Sequence, residues 1–261
     1  MLTLKLILVP TLVAIVTLGV RRWGPAVGGW LSALPVVAGP VLVFYALEQG
    51  NAFAANAAHA TVAGLIGTVA FVLAYGRSAP HLRWYLCVPI GWTMFGATIA
   101  VLAKAPPSPA VSFVALVIAS VAGRRVLPPP SGVLPARATP PGDLPIRMIA
   151  SAVLVVVLTG MAEWLGPTWS GLLRAFPVLT TIVAVFTHAQ QGSGGVLRFL
   201  DGYLYGVIGF GLFCVVLSVS IGALGLVAAA ALALGCQLAL HGLMVWILTL
   251  NRERAPQSIR L

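Results

Sequence analysis

Acidic side chains are nearly missing from this chain: there are five Asp and Glu among 261 residues, against fifteen Lys and Arg. Charged residues of both signs make up 8%, where a soluble domain carries about 25%. A water-facing surface of ordinary size has nothing to be built from. Cysteine is scarce too. Cys87, Cys214 and Cys236 lie inside apolar runs with no CxxC spacing, which excludes a disulfide scaffold and gives no zinc or thiol redox centre. There is no HExxH, no acidic metal-binding pair and no GxxxxGK[ST] phosphate loop. The nearest imitation of a hydrolase site is Gly192-Ser193-Gly194 with His241, and Gly-Ser-Gly is ordinary turn composition. The chain is read as a non-enzyme with no catalytic residue, metal or cofactor assigned.

What is abundant is apolar. Hydrophobic residues reach 60%, the mean hydropathy is +1.03, and apolar runs near the length of a membrane-spanning helix recur from end to end. Punctuation by Pro, Gly and charge predicts an all-α integral membrane protein with nine spans, roughly 3–20, 25–47, 54–76, 84–103, 108–126, 146–164, 167–189, 196–219 and 222–250. The first of these has no small-residue cleavage site after it and is read as a span, not a removable signal peptide. Basic residues set the orientation, because cytoplasmic loops attract Lys and Arg. With the N-terminus outside and the C-terminus cytoplasmic, 12 of the 15 basic residues fall on the cytoplasmic side, leaving Lys5 and Lys104 outside and Arg174 within a helix. Scattered singly and in pairs, these charges form no basic face for nucleic acid.

One constant offset lays the second half of the chain on the first without gaps. Gly24-Pro25 meets Gly166-Pro167, Pro35-Val36 meets Pro177-Val178, Gln49-Gly50 meets Gln191-Gly192, and Gly64, Ile66, Gly67 and Phe71 meet Gly206, Ile208, Gly209 and Phe213. Compositional bias aligns apolar residues, but it does not align Gly-Pro, a mid-helix Pro and Gln-Gly in one register. The expected organisation is a four-helix repeat over 1–105, a linking transmembrane helix over 106–127, a Pro-rich cytoplasmic linker over 128–145 and a second four-helix repeat over 146–261. Because the odd fifth span intervenes, the second repeat runs inverted, a plan that recurs in secondary transporters.

Each repeat carries a proline inside a span, Pro35 and Pro177, and a proline there frees backbone carbonyls that lipid cannot satisfy. These breaks, with Ser32, Arg174, Thr180 and Thr181 beside them, are the expected substrate site. Arg174 cannot lose its charge and suits an anionic substrate, a snorkelling position or a pair with Glu48 or Glu163. Ionisable groups inside spans are costly and so are functional candidates. His59 and its repeat equivalent Asp201, and His241, which with His188 would form an inner polar cluster, are the expected proton-coupling groups; an interfacial Arg198–Asp201 pair, a satisfied His59 at a helix interface and a packed core His241 are the competing readings. The pattern Gly-x-Leu-x-x-Phe-Pro at Gly171–Pro177, echoed at Gly29–Pro35, resembles the small GlpM-like bacterial inner-membrane proteins. The resemblance implies a bacterial inner-membrane location. The expected function is a secondary transporter, exporter or lipid flippase working by alternating access, the alternative being a noncatalytic scaffold or accessory subunit. Expected partners are the lipid bilayer and an unidentified small molecule, ion or lipid, with homodimerisation left open.

Overall fold

The computed structural model describes residues 2–35, 38–104, 107–130, 140, 142–165 and 176–254. Every regular element among them is an α-helix. In chain order they are α1 (Leu2–Trp23), α2 (Pro25–Ser32), α3 (Ala38–Gln49), α4 (Asn51–Ser78), α5 (Trp84–Lys104), α6 (Pro109–Val126) and α7 (Asp143–Leu165). A final helical stretch, Val178–Arg254, departs from helical geometry at Gly192 and Gly225, which divides it into α8 (178–191), α9 (193–224) and α10 (226–254). The last helix was expected from residue 222. Its start falls at Gly225 instead, where a φ of 74° is open to glycine and strained for other residues.

Local sequence sets several of these ends. Gly24 at φ 89° turns the chain between α1 and α2, and Pro25 opens α2 at a position where its missing N–H costs nothing. Ser108 caps α6 by accepting from the Val111 N–H at 3.4 Å, again with a proline, Pro109, as the first helical residue. Gly50 and Gly192, equivalent by the repeat, both have positive φ, 87° and 72°. The starts of α4 and α9 are likewise related by the repeat offset, as are those of α5 and α10.

Five described stretches are long and apolar enough to cross a membrane: Leu6–Trp23, Asn51–Ser78, Trp84–Lys104, Pro109–Val126 and the glycine-divided Val178–Met244. The outside of the bundle agrees with a lipid solvent, since Val227, Leu47, Val219 and Val101 are each more than two-thirds exposed. Inside, α4 and α9 form the centre. They run antiparallel: Asn51 at the start of α4 donates to the Ile221 carbonyl at the end of α9, while Gly76 near the end of α4 packs on Leu200 near the start of α9. Helix α1 is antiparallel to α7, its Arg21 reaching Asp143. Helix α6 presents Ser112, Leu116, Ser120 and Gly123 inward, and Val111, Val114, Ile118 and Val121 outward.

Without a hydrophobic driving force between helices in lipid, close crossings depend on small residues. The α2–α9 crossing is the tightest. A Cβ on Gly29 would stand 1.8 Å from the Phe199 carbonyl oxygen, and one on Gly202 would stand 1.9 Å from that of Ala26. The two backbones touch.

Candidate functional site

Helix α2 ends as its last bonds tighten: the N–H groups of Ala33 and Leu34 reach back three residues, to Trp30 and Leu31, at 3.2 Å each. That leaves the Gly29 carbonyl without its helical partner, and the Ser32 hydroxyl takes the role, donating to it at 2.7 Å. Pro35 is buried and its carbonyl accepts from Gly39 N–H at 2.7 Å, starting α3. The start of α8 repeats this bond at the offset-equivalent position. Pro177 is buried and its carbonyl accepts from Thr181 N–H at 2.8 Å, starting α8. Arg174 and the remainder of the Gly171–Pro177 pattern before Phe176 lie outside the described residues.

The α2 break and the start of α8 are brought to one stretch of α9. On one side, a Cβ on Gly206 would meet the Trp30 carbonyl at 2.7 Å and Ala33 at 2.8 Å, and Gly29 approaches the Tyr203 nitrogen. On the other, the Tyr203 hydroxyl faces Thr180 of α8 and Thr68 of α4. Thr181 accepts from the indole of Trp92 at 3.3 Å, and Trp92 and Phe95 of α5 stand edge-on to Phe176 at 5.2 and 5.5 Å between ring centres. Ser32, Thr180 and Thr181 are each at least nine-tenths buried. The result is a small hydroxyl and aromatic cluster in an otherwise apolar centre.

His241 of α10 closes the α2 side of this region. Its ring stands edge-on to Trp30 at 5.2 Å, with Nε2 3.3 Å from the Gly206 carbonyl. Gly209 makes the room, since a Cβ there would lie 2.2 Å from His241 Nε2. His241 Nδ1 is buried without a partner, and so is the Oε1 of Gln237 one turn earlier. A buried polar atom without a partner costs about 1–3 kcal/mol, so this corner is poised for a ligand or water. His188 is placed elsewhere: its Nδ1 faces the Tyr75 hydroxyl at 3.2 Å. His188 and His241 thus have separate sets of partners and do not form the inner polar cluster considered from the sequence.

The remaining expected coupling groups lie nearer the helix ends. His59 is half-buried and its Nε2 sits 2.8 Å from the Pro107 carbonyl. Asp201 has a partner from across the bundle. It accepts from Arg124 of α6 at 2.8 Å through Nε and 3.5 Å through Nη2, and the same guanidinium lies 3.4 Å over the Tyr205 ring. Both side chains of this ion pair are about a third exposed.

A second polar site was not singled out from the sequence. Asp143, at the first turn of α7, accepts from Arg21 of α1 at 2.7 Å and from Arg147 at 2.8 Å, both on Oδ2. Gln190 of α8 completes it, donating to Asp143 Oδ1 and accepting from Arg147 Nη2 at 2.8 Å. Burial alone raises the Asp143 pKa, but the bonds from Arg21, Arg147 and Gln190 outweigh it and hold the carboxyl below its ordinary range. The signal available beforehand was the i, i+4 spacing of Asp143 and Arg147. Arg21 is 122 residues from Asp143, and no local pattern points to it. Among the described residues no three His, Cys, Asp or Glu side chains gather as metal ligands. No family model matches the chain, and no curated protein or solved structure gives a significant match to it.

Proposed function

We propose that this chain is a secondary transporter, of the exporter or lipid-flippase kind, built from nine spans in two inverted four-helix repeats linked by α6 and working by alternating access. The observation that carries the reading is the convergence of the helix break at Pro35 and the helix start at its offset equivalent, Pro177, on the Tyr203–Gly206 stretch of α9. Broken helices meeting at mid-bundle supply backbone carbonyls and hydroxyls where lipid supplies none. The antiparallel run of α4 against its repeat equivalent α9 supports inversion. In this reading the substrate, a small molecule, ion or lipid, passes between Ser32, Pro35, Pro177, Thr180 and Thr181, with Arg174 as a further substrate ligand. His241, Asp201 and His59 are the groups through which proton coupling runs. The basic loops and the GlpM-like pattern favour a bacterial inner membrane with the C-terminus cytoplasmic.

The test uses single cysteines in a background lacking Cys87, Cys214 and Cys236 and a membrane-impermeant maleimide. Cysteines at Asn51 and Ser193, equivalent by the repeat, label from opposite faces if the repeats are inverted; labelling from one face rejects inversion. Cysteines at Ser32 and Thr181 become reactive from each face in turn in an alternating-access protein. Sites that stay unreactive from both faces under all conditions reject transport and favour a scaffold or accessory subunit.

A further inference from the structure

The Asp143 cluster has more positive charge than it can neutralise. Arg21 and Arg147 share one carboxylate, and both oxygens of that carboxylate are already occupied, Oδ2 by the two guanidinium groups and Oδ1 by Gln190. The Gln190 carboxamide is engaged at both ends, donating to Asp143 and accepting from Arg147, and carries no charge to offset the excess. With Asp143 held ionised, the group has a formal charge of +1. Its most buried cation is Arg147, 3% exposed, and the Nη1 of that guanidinium has no hydrogen-bond partner. Its central carbon lies 4.7 Å from the centre of the Phe186 ring, which stabilises the cation but accepts no conventional hydrogen bond. Nearby Arg21 is a third exposed, so the cluster is open to the bundle surface on that side.

A buried guanidinium with a free donor and an uncompensated charge is costly unless an acceptor oxygen of opposite charge completes it. Arginine forks match the paired oxygens of phosphates. We infer that the Arg21–Asp143–Arg147–Gln190 cluster is a binding site for a phosphate-type oxyanion, completed by Arg147 Nη1 and the exposed side of Arg21. The phosphate is carried either by an anionic lipid headgroup or by a free solute. This site is separate from the helix breaks and stands whether or not the protein transports.

The experiment measures the thermal unfolding midpoint of the full chain in an uncharged maltoside detergent, with two titrations. One adds inorganic phosphate against chloride at matched ionic strength. The other adds phosphatidylglycerol against phosphatidylcholine. A saturable rise with phosphate assigns the site to a free solute, and a rise with phosphatidylglycerol alone assigns it to a lipid headgroup. R147Q abolishes the rise, and R147K, which keeps the charge but not the fork, weakens the apparent affinity about tenfold. R21Q, at the exposed edge, weakens binding in a fold left intact and carries the test if R147Q does not fold. R83Q, on an exposed arginine outside the cluster, keeps the full response. The inference is overturned if neither addition exceeds its matched control, or if R147Q or R21Q responds as the unsubstituted protein does.

Discussion

The α2–α9 crossing makes a sharp prediction, because what a methyl group would strike is backbone and not a movable side chain. In Gly29→Ala the new Cβ would begin 1.8 Å from the Phe199 carbonyl oxygen and 2.8 Å from the Tyr203 nitrogen; in Gly202→Ala it would begin 1.9 Å from the Ala26 carbonyl oxygen. Ordinary contact starts near 3.4 Å, so the two helices must part by roughly 1.5 Å, a large step against typical interaxial distances of 8–10 Å. Overpacking costs about 1–3 kcal/mol, and the upper end applies where rotamer change gives no relief. At about 2–4 °C per kcal/mol for a chain of this size, each variant should lose about 6–12 °C in unfolding midpoint by fluorescence-detected size exclusion. Once one methyl has parted the helices the second has less to strike, so the double variant should fall short of the sum. Gly96→Ala is the control. A Cβ there meets nothing within 4 Å, and a helical alanine is favoured over glycine by about 1 kcal/mol. Gly29→Ala and Gly202→Ala midpoints within about 2 °C of Gly96→Ala would refute the close approach, and with it the placement of the α2 break.

Asp143 predicts a pH signature. Its carboxyl is held below the ordinary range, so its stabilisation is complete above the unfolded pKa of about 3.9 and is lost as pH falls through the lower folded value. The gap in unfolding midpoint between the unsubstituted protein and Asp143→Asn should therefore stay constant from neutral pH to about pH 5 and close only in stronger acid; a gap that closes near neutrality would refute the assignment. The Arg124–Asp201 pair is about a third exposed, and solvent screening limits it to about 1 kcal/mol or less. Asp201→Asn should leave the midpoint within about 3 °C, while Arg124→Gln, which also loses the Tyr205 contact, should cost more. The reverse order would show that the ring contact contributes nothing.

How much of this was legible in sequence depends on the range of the interaction. Helix ends are local, and so Gly50 and Gly192 are readable as ends, their positive φ lying where Gln-Gly punctuates both halves. Pro35 likewise lies in the non-helical stretch between α2 and α3, and Pro177 immediately precedes α8. Pairing partners are not local. Arg198 lies one turn from Asp201 and is its natural partner by spacing, yet α6 passes close enough for Arg124 to reach the carboxylate from 77 residues away. His59 of α4 meets the Pro107 carbonyl, 48 residues on, in the turn before α6. The linker expected over 128–145 hid Asp143, whose value as a helix-start acid emerges only when α1 and α8 close around it.

The sequence offset also aligns two packing pairs of different chemistry. Gly67 of α4 packs on Ile99 of α5, a Cβ there falling 2.8 Å from the isoleucine side chain; at the equivalent place in the second half, Gly209 of α9 packs on His241 of α10 in the same way. At offset-equivalent positions a glycine thus packs on an aliphatic side chain in the first half and on an imidazole in the second. Since isoleucine already fits beside a glycine in this geometry, His241→Ile tests whether the histidine is retained for packing. The substitution removes a 3.3 Å contact to the Gly206 carbonyl and a buried Nδ1 without a partner. Losing an unsatisfied atom offsets losing a long hydrogen bond, so the midpoint should stay within about 3 °C or rise. A fall beyond about 5 °C would make His241 a packing residue fitted to Trp30 and remove it from the coupling groups. An unchanged midpoint would leave a buried imidazole, beside a broken helix, that the fold does not need.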